Sequence, residues 1–217
     1  MLNIENNGQK FSEKKLLEGQ NLLTSCLRRI AQEISPGMTE MDASEKAKIE
    51  LNKNGFGKNW HPPKIRFGPN TLKTYSEISD PGIVLKPEDI FFFDLGPILA
   101  EHECDYGETF VVGNNPELKR LRDSSKILFD QVKTKWKLDN LSGQKLYDYA
   151  QTEAKKMGYD FITEGASGHR VGDFPHQVHY RGSLIEIEKP AAPNRWILEI
   201  QIHDKKIHRG AFFEDIL

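Results

Sequence analysis

Two aspartates in one segment have the residue type and spacing that metal chemistry requires. Asp94 directly follows three phenylalanines, and Asp105 comes eleven residues later. A carboxylate beside apolar residues is costly to bury unless it is paired or bound to a cation, and aspartate is disfavoured in strands. If the segment 90–113 folds back as a hairpin, the two carboxylates approach each other on adjacent strands. The alternative is that both lie in turns beside Gly96 and Gly107, and this segment alone does not decide between them.

Four further potential ligands lie in the second half of the chain. His169 and His176 stand seven residues apart among glycines, although a lone histidine is more often a surface or hydrogen-bonded core residue. Glu199 interrupts the apolar run 196–202, where strand alternation favours a solvent-facing position for it. Glu214 follows two phenylalanines near the end of the sequence. Each of these signals is ambiguous when taken alone.

The combination of these acids indicates a metal site. Four carboxylates that converge without cations repel one another and are costly to desolvate, so such a cluster implies bound metal. Oxygen ligands with one imidazole suit Mn²⁺, Co²⁺, Fe²⁺ or Zn²⁺. The only cysteines, Cys26 and Cys104, do not form a thiolate zinc motif. Two ions about 3.5–4 Å apart could activate a water molecule and polarise an amide carbonyl.

The first half of the chain predicts two helices followed by strands. Apolar residues at helical spacing predict a helix over 13–34, which Pro36 ends. Thr39 and Asp42 resemble a capping box, so a second helix is predicted from there to Gly55. Short apolar, β-prone runs at 90–93 and 109–112 then predict strands across 90–113.

The second half repeats this order of elements. Asn115 and Pro116 indicate a helix start, and the pattern predicts helices over about 117–137 and 143–157 and strands that are clearest at Trp196–Ile202 and Ile207–Glu214. The order helix, helix, strands thus occurs twice. It predicts one α+β domain over 12–217, after a flexible start at 1–11, with the helices on one face of a mostly antiparallel sheet. A metal or substrate site would lie on the free, concave face.

Composition and charge narrow the possible partners. The 217 residues carry a net charge of −2 and no long basic run, so neither nucleic acid nor an anionic membrane is an expected partner. The first residues lack the basic and apolar pattern of a signal peptide, and no uncharged apolar run is long enough to span a bilayer. The sequence therefore predicts a cytoplasmic protein, and it carries no signal for an oligomeric state.

The order Asp, Asp, His, Glu, Glu resembles the pita-bread metallopeptidase family, which includes methionine aminopeptidase, aminopeptidase P, prolidase and the metal-free creatinase. The likeness extends over nearly the whole chain from about residue 12, and it rests on 93–96 with the acid eleven residues later, 168–176, Glu199 and 213–215. The segment 36–40 is closest in style to the aminopeptidase P branch. The resemblance implies a pseudo-twofold fold with helices packed on one face of a curved sheet.

The resemblance also implies a role for each ligand. Asp105 and Glu214 would bridge two divalent ions. Asp94 would hold one ion, and His169 with Glu199 would hold the other. Glu199 would in addition act as the general base toward the attacking water.

Some positions depart from the family pattern. Peptidases of the family carry another catalytic histidine ahead of the first aspartate, but counting back from Asp94 without gaps reaches Ser76, and the nearest histidine is His61. Serine can donate a hydrogen bond but cannot supply an imidazolium. Losing a donor of the oxyanion-hole type typically costs roughly 10²–10³ in rate. His102 and Glu103 are also expected to crowd the second aspartate.

The expected substrate pocket combines His176 and Ser76 with Trp60 and His61. His176 would hydrogen-bond the substrate and help to stabilise the tetrahedral intermediate. The family often lines its pocket with the region around Trp60, and the alternative is a rigid loop that a buried indole anchors.

The leading functional hypothesis is a dinuclear metal-dependent aminopeptidase or dipeptidase that hydrolyses the N-terminal bond of small peptides, Xaa-Pro peptides among them. Two alternatives remain. One is a catalytically impaired member that binds a peptide or protein, and the other is a metal-dependent hydrolase of a non-peptide amide. Retention of all five ligands favours metal binding. Ser76 favours altered chemistry. So does Glu108, which stands where the family usually has arginine and is expected to change the charge beside Asp105.

Overall fold

Four α-helices form one layer of the molecule. The computed structural model describes residues 4–217, and its helices are Glu13–Gln32 (α1), Glu40–Lys53 (α2), Pro116–Asp139 (α3) and Gly143–Met157 (α4). None of these helices has both the length and the apolar character that crossing a bilayer requires.

The strands of the described chain form a second layer beneath the helices. They are Lys64–Phe67 (β1), Asp89–Leu95 (β2), Ile98–Leu99 (β3), His102–Glu103 (β4), Tyr106–Val112 (β5), Asp160–Ile162 (β6), His169–Arg170 (β7), Trp196–Asp204 (β8) and Arg209–Ile216 (β9). Seven of them make one antiparallel sheet in the order β1-β2-β5-β9-β8-β6, with β7 paired to β8, while β3 and β4 pair separately. Each half of the chain therefore contributes two helices and three strands of the main row, related by a pseudo-twofold axis at the β5–β9 contact.

The helix boundaries follow from capping side chains. The hydroxyl of Thr39 accepts a hydrogen bond from the N–H of Asp42, whose carboxylate in turn accepts the Thr39 N–H, so the predicted capping box is confirmed. The side chain of Asn115 caps α3, with Pro116 as its first residue. Gly158 ends α4 in the left-handed region at φ 89°, where glycine has no steric penalty.

The hydrophobic core lies between the helices and one face of the sheet. Phe93 on β2 is fully buried among the core residues, as are Leu27 on α1 and Leu128 on α3. On β9, Phe213 packs against Phe129 of α3 with ring centroids 4.9 Å apart. Because side chains alternate along a strand, the neighbours of these phenylalanines point to the opposite face.

The residues that precede α1 pack against the second half of the chain. The indole N–H of Trp196 donates to Glu5 at 2.7 Å, and the N–H of Gly8 donates to Asp173 at 2.8 Å. Residues 4–11 thus make specific contacts, and the flexible start expected for 1–11 stays a prediction. The first three residues of that prediction lie outside the described part of the chain.

Candidate functional site

The strand register places three acids in one row on the sheet face that the helices leave free. Asp94 on β2 lies opposite Gly107 on β5, which lies opposite Glu214 on β9. Glu214 lies in turn opposite Glu199 on β8. Paired residues on adjacent strands point to the same face, so the three carboxylates share one side of the sheet. A Cβ at Gly107 would lie 2.8 Å from Oε1 of Glu214, so the glycine leaves the room that the acids occupy.

Two further side chains complete this cluster. Oδ2 of Asp105, which precedes β5, lies 2.8 Å from Nε2 of His169 on β7. Gln20 on α1 holds the backbone of Asp105: its side-chain oxygen accepts the Asp105 N–H at 3.0 Å, and its amide donates to the Asp105 carbonyl. The N–H of Gly168 donates to Oε2 of Glu199 at 2.6 Å. The structure therefore brings all five predicted ligands together, and Glu199 is buried rather than solvent-facing.

The cluster forms the floor of a cleft of about 460 Å³, a volume typical of small-molecule sites. Its walls carry several rings and one guanidinium group, from Trp60, His61, Tyr75, His176 and Arg181. The indole of Trp60 meets the ring of His61 edge-on at a centroid distance of 4.4 Å, and its N–H donates to the carbonyl of Cys104 at 3.1 Å. Trp60 is thus both a wall of the cleft and an anchor of its loop.

Burial raises the proton affinity of three of the four carboxylates. They are between 1% and 8% exposed. Burial raises the pKa of Glu199 to about 7 and that of Asp94 to about 6, although nearby imidazoles oppose the shift. Burial and the neighbouring carboxylates hold the pKa of Glu214 well above its usual range, and its carboxyl group hydrogen-bonds Asp94. Like charges this close cannot all be retained without a compensating cation.

Asp105 is the exception because two imidazoles flank it. Burial alone would raise its pKa, but His61 and His169 outweigh that effect and lower the pKa. In return, burial would lower the pKa of each imidazole, but the carboxylates raise it to about 10 for His61 and about 9 for His169. A proton on each ring thus offsets part of the charge of the acids, and a cation bound at the two Nε2 atoms would take the place of those protons.

The donor set also fits divalent cations. Among the described residues, no group hydrogen-bonds the buried Oε1 of Glu214, and an unpaired buried oxygen is costly. The donor atoms of Asp105, His169 and Glu214 all lie within 4.8 Å of one another. Nδ1 of His169 is 2.8 Å from the carbonyl oxygen of Arg170, so its proton is held there and Nε2 is left for a ligand, as in many metal-binding histidines.

Saturating Mn²⁺, Co²⁺ or Zn²⁺ is expected to raise the Tm of the chelator-treated protein by about 5–10 °C. A ligand at 100 times its Kd stabilises the folded state by about 2.7 kcal/mol, and each kcal/mol shifts the Tm of a domain of this size by about 2–4 °C. Differential scanning calorimetry with and without metal measures the shift. An unchanged Tm at millimolar metal would count against a cation site here.

The carboxylate of Glu103 orients the imidazole of His176. Its Nδ1 lies 2.5 Å from Oε2 of Glu103, and its backbone N–H donates to Oε1 of the same residue at 3.1 Å. The pair is buried, so Nε2 is the ring nitrogen left for a substrate. The prediction that His102 and Glu103 crowd Asp105 is wrong, since Nε2 of His102 instead accepts the N–H of Ser12 at 2.8 Å. The sequence signal for Glu103 was its type alone, because nothing in the spacing links it to His176.

Glu103→Gln is expected to lower kcat by about 10–100-fold with little change in KM or metal content. The expected size is that of losing the hydrogen-bond partner of a metal-bound histidine. The amide can still accept the Nδ1 hydrogen bond, but it lacks the negative charge that makes a hydrogen bond to a carboxylate strong. Steady-state kinetics and metal analysis measure the two effects. Glu101→Gln, at an exposed glutamate two positions away, is the matched control, and an equal loss in both variants would exclude an orienting role.

The structure corrects the placement of Ser76. Its side chain is exposed and lies in a separate groove beside Ile65, whereas the preceding residue, Tyr75, lines the cleft. The gap-free count is wrong because residues 73–88, between a 3-10 helix at Gly68–Leu72 and β2, form no helix or strand. The spacing in this segment therefore does not show which side chain turns inward. Burial raises the pKa of Tyr75 to about 12, with the carboxylates adding to the shift, so its hydroxyl stays protonated as a hydrogen-bond donor.

The charge of Glu108 does not lie beside Asp105, in contrast to the prediction. Oε2 of Glu108 accepts hydrogen bonds from Arg28 of α1 at 2.9 Å and from the hydroxyl of Tyr106 at 2.8 Å. Glu108 pairs with Phe93 and Phe213 in the strand register, so it points to the helical side. The cleft therefore does not gain a charge from this departure.

Comparisons with known proteins place this geometry in a family. The model of metallopeptidase family M24 matches residues 14–217. No curated protein sequence matches the chain significantly. Among solved structures, the chain is similar to the X-Pro aminopeptidase from Thermotoga maritima MSB8, with a TM-score of 0.77 and 18% identity over 94% of this chain and 56% of that one.

Two further structures show the same likeness. The prolidase from Pyrococcus horikoshii OT3 gives a TM-score of 0.75 and 20% identity over 97% of this chain and 59% of that one. The methionine aminopeptidase from Thermotoga maritima gives a TM-score of 0.73 and 15% identity over 100% of this chain and 94% of that one. The chain thus spans less than two thirds of the first two structures, and at these identities the likeness shows the fold. The chain has the pita-bread fold and belongs to metallopeptidase family M24.

Proposed function

We propose that the chain is a dinuclear metal-dependent aminopeptidase or dipeptidase that hydrolyses the N-terminal bond of small peptides, with Xaa-Pro peptides among the candidate substrates. The observation that carries the proposal is the convergence of four nearly buried carboxylates and one imidazole on the floor of a single cleft. The names of the similar structures, an X-Pro aminopeptidase, a prolidase and a methionine aminopeptidase, support the class of reaction.

The ligands divide between two ions, for which Mn²⁺, Co²⁺, Fe²⁺ and Zn²⁺ are candidates. Asp105 and Glu214, which lie between the other donors, would contribute to holding both ions. Asp94 would in addition hold one ion, and His169 with Glu199 would hold the other. When bound, such ions supply Lewis acidity toward a carbonyl and increase the acidity of water.

The protein side chains would handle the protons of the reaction. Glu199, with its pKa raised to about 7, suits a general base near neutral pH. It would take a proton from water as the water oxygen bonds to the scissile carbonyl carbon, and would return that proton to the leaving amine as the C–N bond breaks. His176 would donate from Nε2 to the developing oxyanion, held in place by Glu103. The hydroxyl of Tyr75 offers a second donor in the cleft.

The walls of the cleft suggest how a small peptide would be held. Trp60, His61 and Arg181 all line the cleft. Nε of Arg181 donates to the carbonyl of Gln177 at 3.3 Å. Within residues 4–217, Arg181 is the permanent cation among the side chains that line this cleft. It could pair with the free carboxylate of a dipeptide, which distinguishes a dipeptidase from an aminopeptidase that accepts longer chains.

A metal-reconstituted cleavage assay tests the proposal. The chelator-treated chain would be loaded with each candidate metal and given a Met-Ala-Ser tripeptide and an Xaa-Pro dipeptide with a free or amidated carboxyl terminus. Cleavage that requires metal is expected, and preference for the free dipeptide would favour a dipeptidase. Metal binding without cleavage of any peptide would contradict the peptidase and favour a peptide-binding role or a non-peptide amide substrate.

A further inference from the structure

We infer that His61 is a sixth protein ligand of the proposed dinuclear site, bound through Nε2 to the ion that Asp94 holds. The inference rests on the proposed metal function and adds a residue to it. His61 lies on the loop between α2 and β1, well before the first acid of the cluster in the sequence. With it, each ion would have one imidazole, His61 on one side of Asp105 and His169 on the other.

The distances around His61 match a coordination site. Its Nε2 is 3.1 Å from Oδ1 of Asp105 and 3.5 Å from Oδ1 of Asp94. Donor atoms that share one ion at bond lengths of about 2.1 Å lie about 3.0–3.4 Å apart for angles between roughly 90° and 109°. The three donor atoms all lie within 4.8 Å of one another, as do those of the group on the opposite side that contains His169.

The ring of His61 is also held in the form that a metal requires. Nδ1 lies 3.0 Å from the carbonyl oxygen of Pro62, which accepts the Nδ1 proton and leaves the lone pair of Nε2 directed at the acids. His169 has the same arrangement, with its Nδ1 2.8 Å from the carbonyl oxygen of Arg170. His176 differs, because its Nδ1 faces the carboxylate of Glu103. The backbone carbonyl partner is a common second contact of metal-binding imidazoles.

The loop that carries His61 is fixed to the segment after Asp94. The N–H of Trp60 donates to the carbonyl of Gly96 at 2.9 Å, and the N–H of Gly57 donates to that of Ile98 at 2.8 Å. A Cβ at Gly96 would lie 2.0 Å from Nε2 of His61, so the ring occupies space that only a glycine leaves. These contacts place the imidazole before any ion binds, which lowers the entropic cost of coordination.

Metal titration of the whole chain with and without this imidazole tests the inference. Apo-protein would be titrated with Co²⁺ by calorimetry, and X-ray absorption of the Zn²⁺-loaded protein would count imidazoles per ion. The unsubstituted chain is expected to bind two ions with an average of one imidazole each. His61→Ala is expected to lower the affinity for one of the two ions by at least about 10-fold, since even an outer contact of a metal ligand typically contributes about that much. Its average imidazole count should fall toward one half.

His176→Ala is the control, because it removes an imidazole from the same cleft but not from the proposed ligands. It should keep both affinities and the imidazole count, and circular dichroism would verify the fold of both variants. If the unsubstituted chain binds two ions and His61→Ala binds them equally well with the same imidazole count, the inference is wrong while the proposed metal site stands. Failure of the unsubstituted chain to bind metal would overturn both.

Discussion

Asp105→Asn is expected to lower kcat/KM for peptide cleavage by about 10³-fold or more. Asp105 offers both carboxylate oxygens to the cluster, one toward His61 and one toward His169. The neutral amide of asparagine would therefore weaken the binding of both proposed ions. Lewis-acid stabilisation contributes several kcal/mol to such reactions, and each 1.36 kcal/mol is about tenfold in rate. The variant should also lose the metal-induced rise in Tm.

Asp204→Asn is the matched control for that variant. Asp204 is a buried acid at the far end of β8, where Oδ1 accepts the N–H groups of Lys206 and Ile207. It should keep metal binding and most of the activity. Activity within about tenfold of the unsubstituted chain for Asp105→Asn would show that the reaction does not depend on the cluster.

Glu199→Gln is expected to lower kcat by about 10²–10⁴-fold, the usual contribution of a positioned general base, with a much smaller change in KM. The glutamine keeps an oxygen that can accept the N–H of Gly168 but cannot take a proton from water. Steady-state kinetics at saturating metal measure the change, with Asp204→Asn on the same strand as control. A fall of less than tenfold would assign the base elsewhere.

Asp94 shows why part of the candidate site could be predicted from sequence. Asp94 follows three phenylalanines on β2, a strand that is buried on both faces. Aspartate is disfavoured in strands, so a charge at this position indicates a function. The capping residues were equally informative, since Thr39 and Asn115 act on neighbouring backbone groups only. Signals of this kind are local, so one sequence is enough to read them.

Glu199 shows where strand alternation was insufficient. The alternation correctly separates its side chain from those of Leu198 and Ile200, but it does not show what covers the second face of the sheet. Gly168 and other residues of the segment between β6 and β8 cover it and leave Glu199 8% exposed. Burial of this kind depends on contacts far apart in sequence, which no periodicity encodes.

The irregular segments account for the remaining differences. His61 and Tyr75 enter the cleft from loops on either side of β1. The predicted placement of Ser76 was wrong because no helix or strand around it fixes the direction of its side chain. Glu103 is linked to His176 only through the folded chain. For such residues the type suggests chemistry, but the position follows from tertiary packing alone.

Metal stoichiometry is the most direct measurement of the central claim. The chelator-stripped chain would be dialysed to equilibrium against Mn²⁺, Co²⁺ or Zn²⁺, and bound metal would be determined by elemental analysis beside Asp105→Asn and Asp204→Asn. We predict about two ions per chain for the unsubstituted protein and Asp204→Asn, because two groups of donors share the cleft floor, and a loss of both ions in Asp105→Asn. Less than one ion per chain in the unsubstituted protein, or equal binding in all three, would contradict a dinuclear site at these residues.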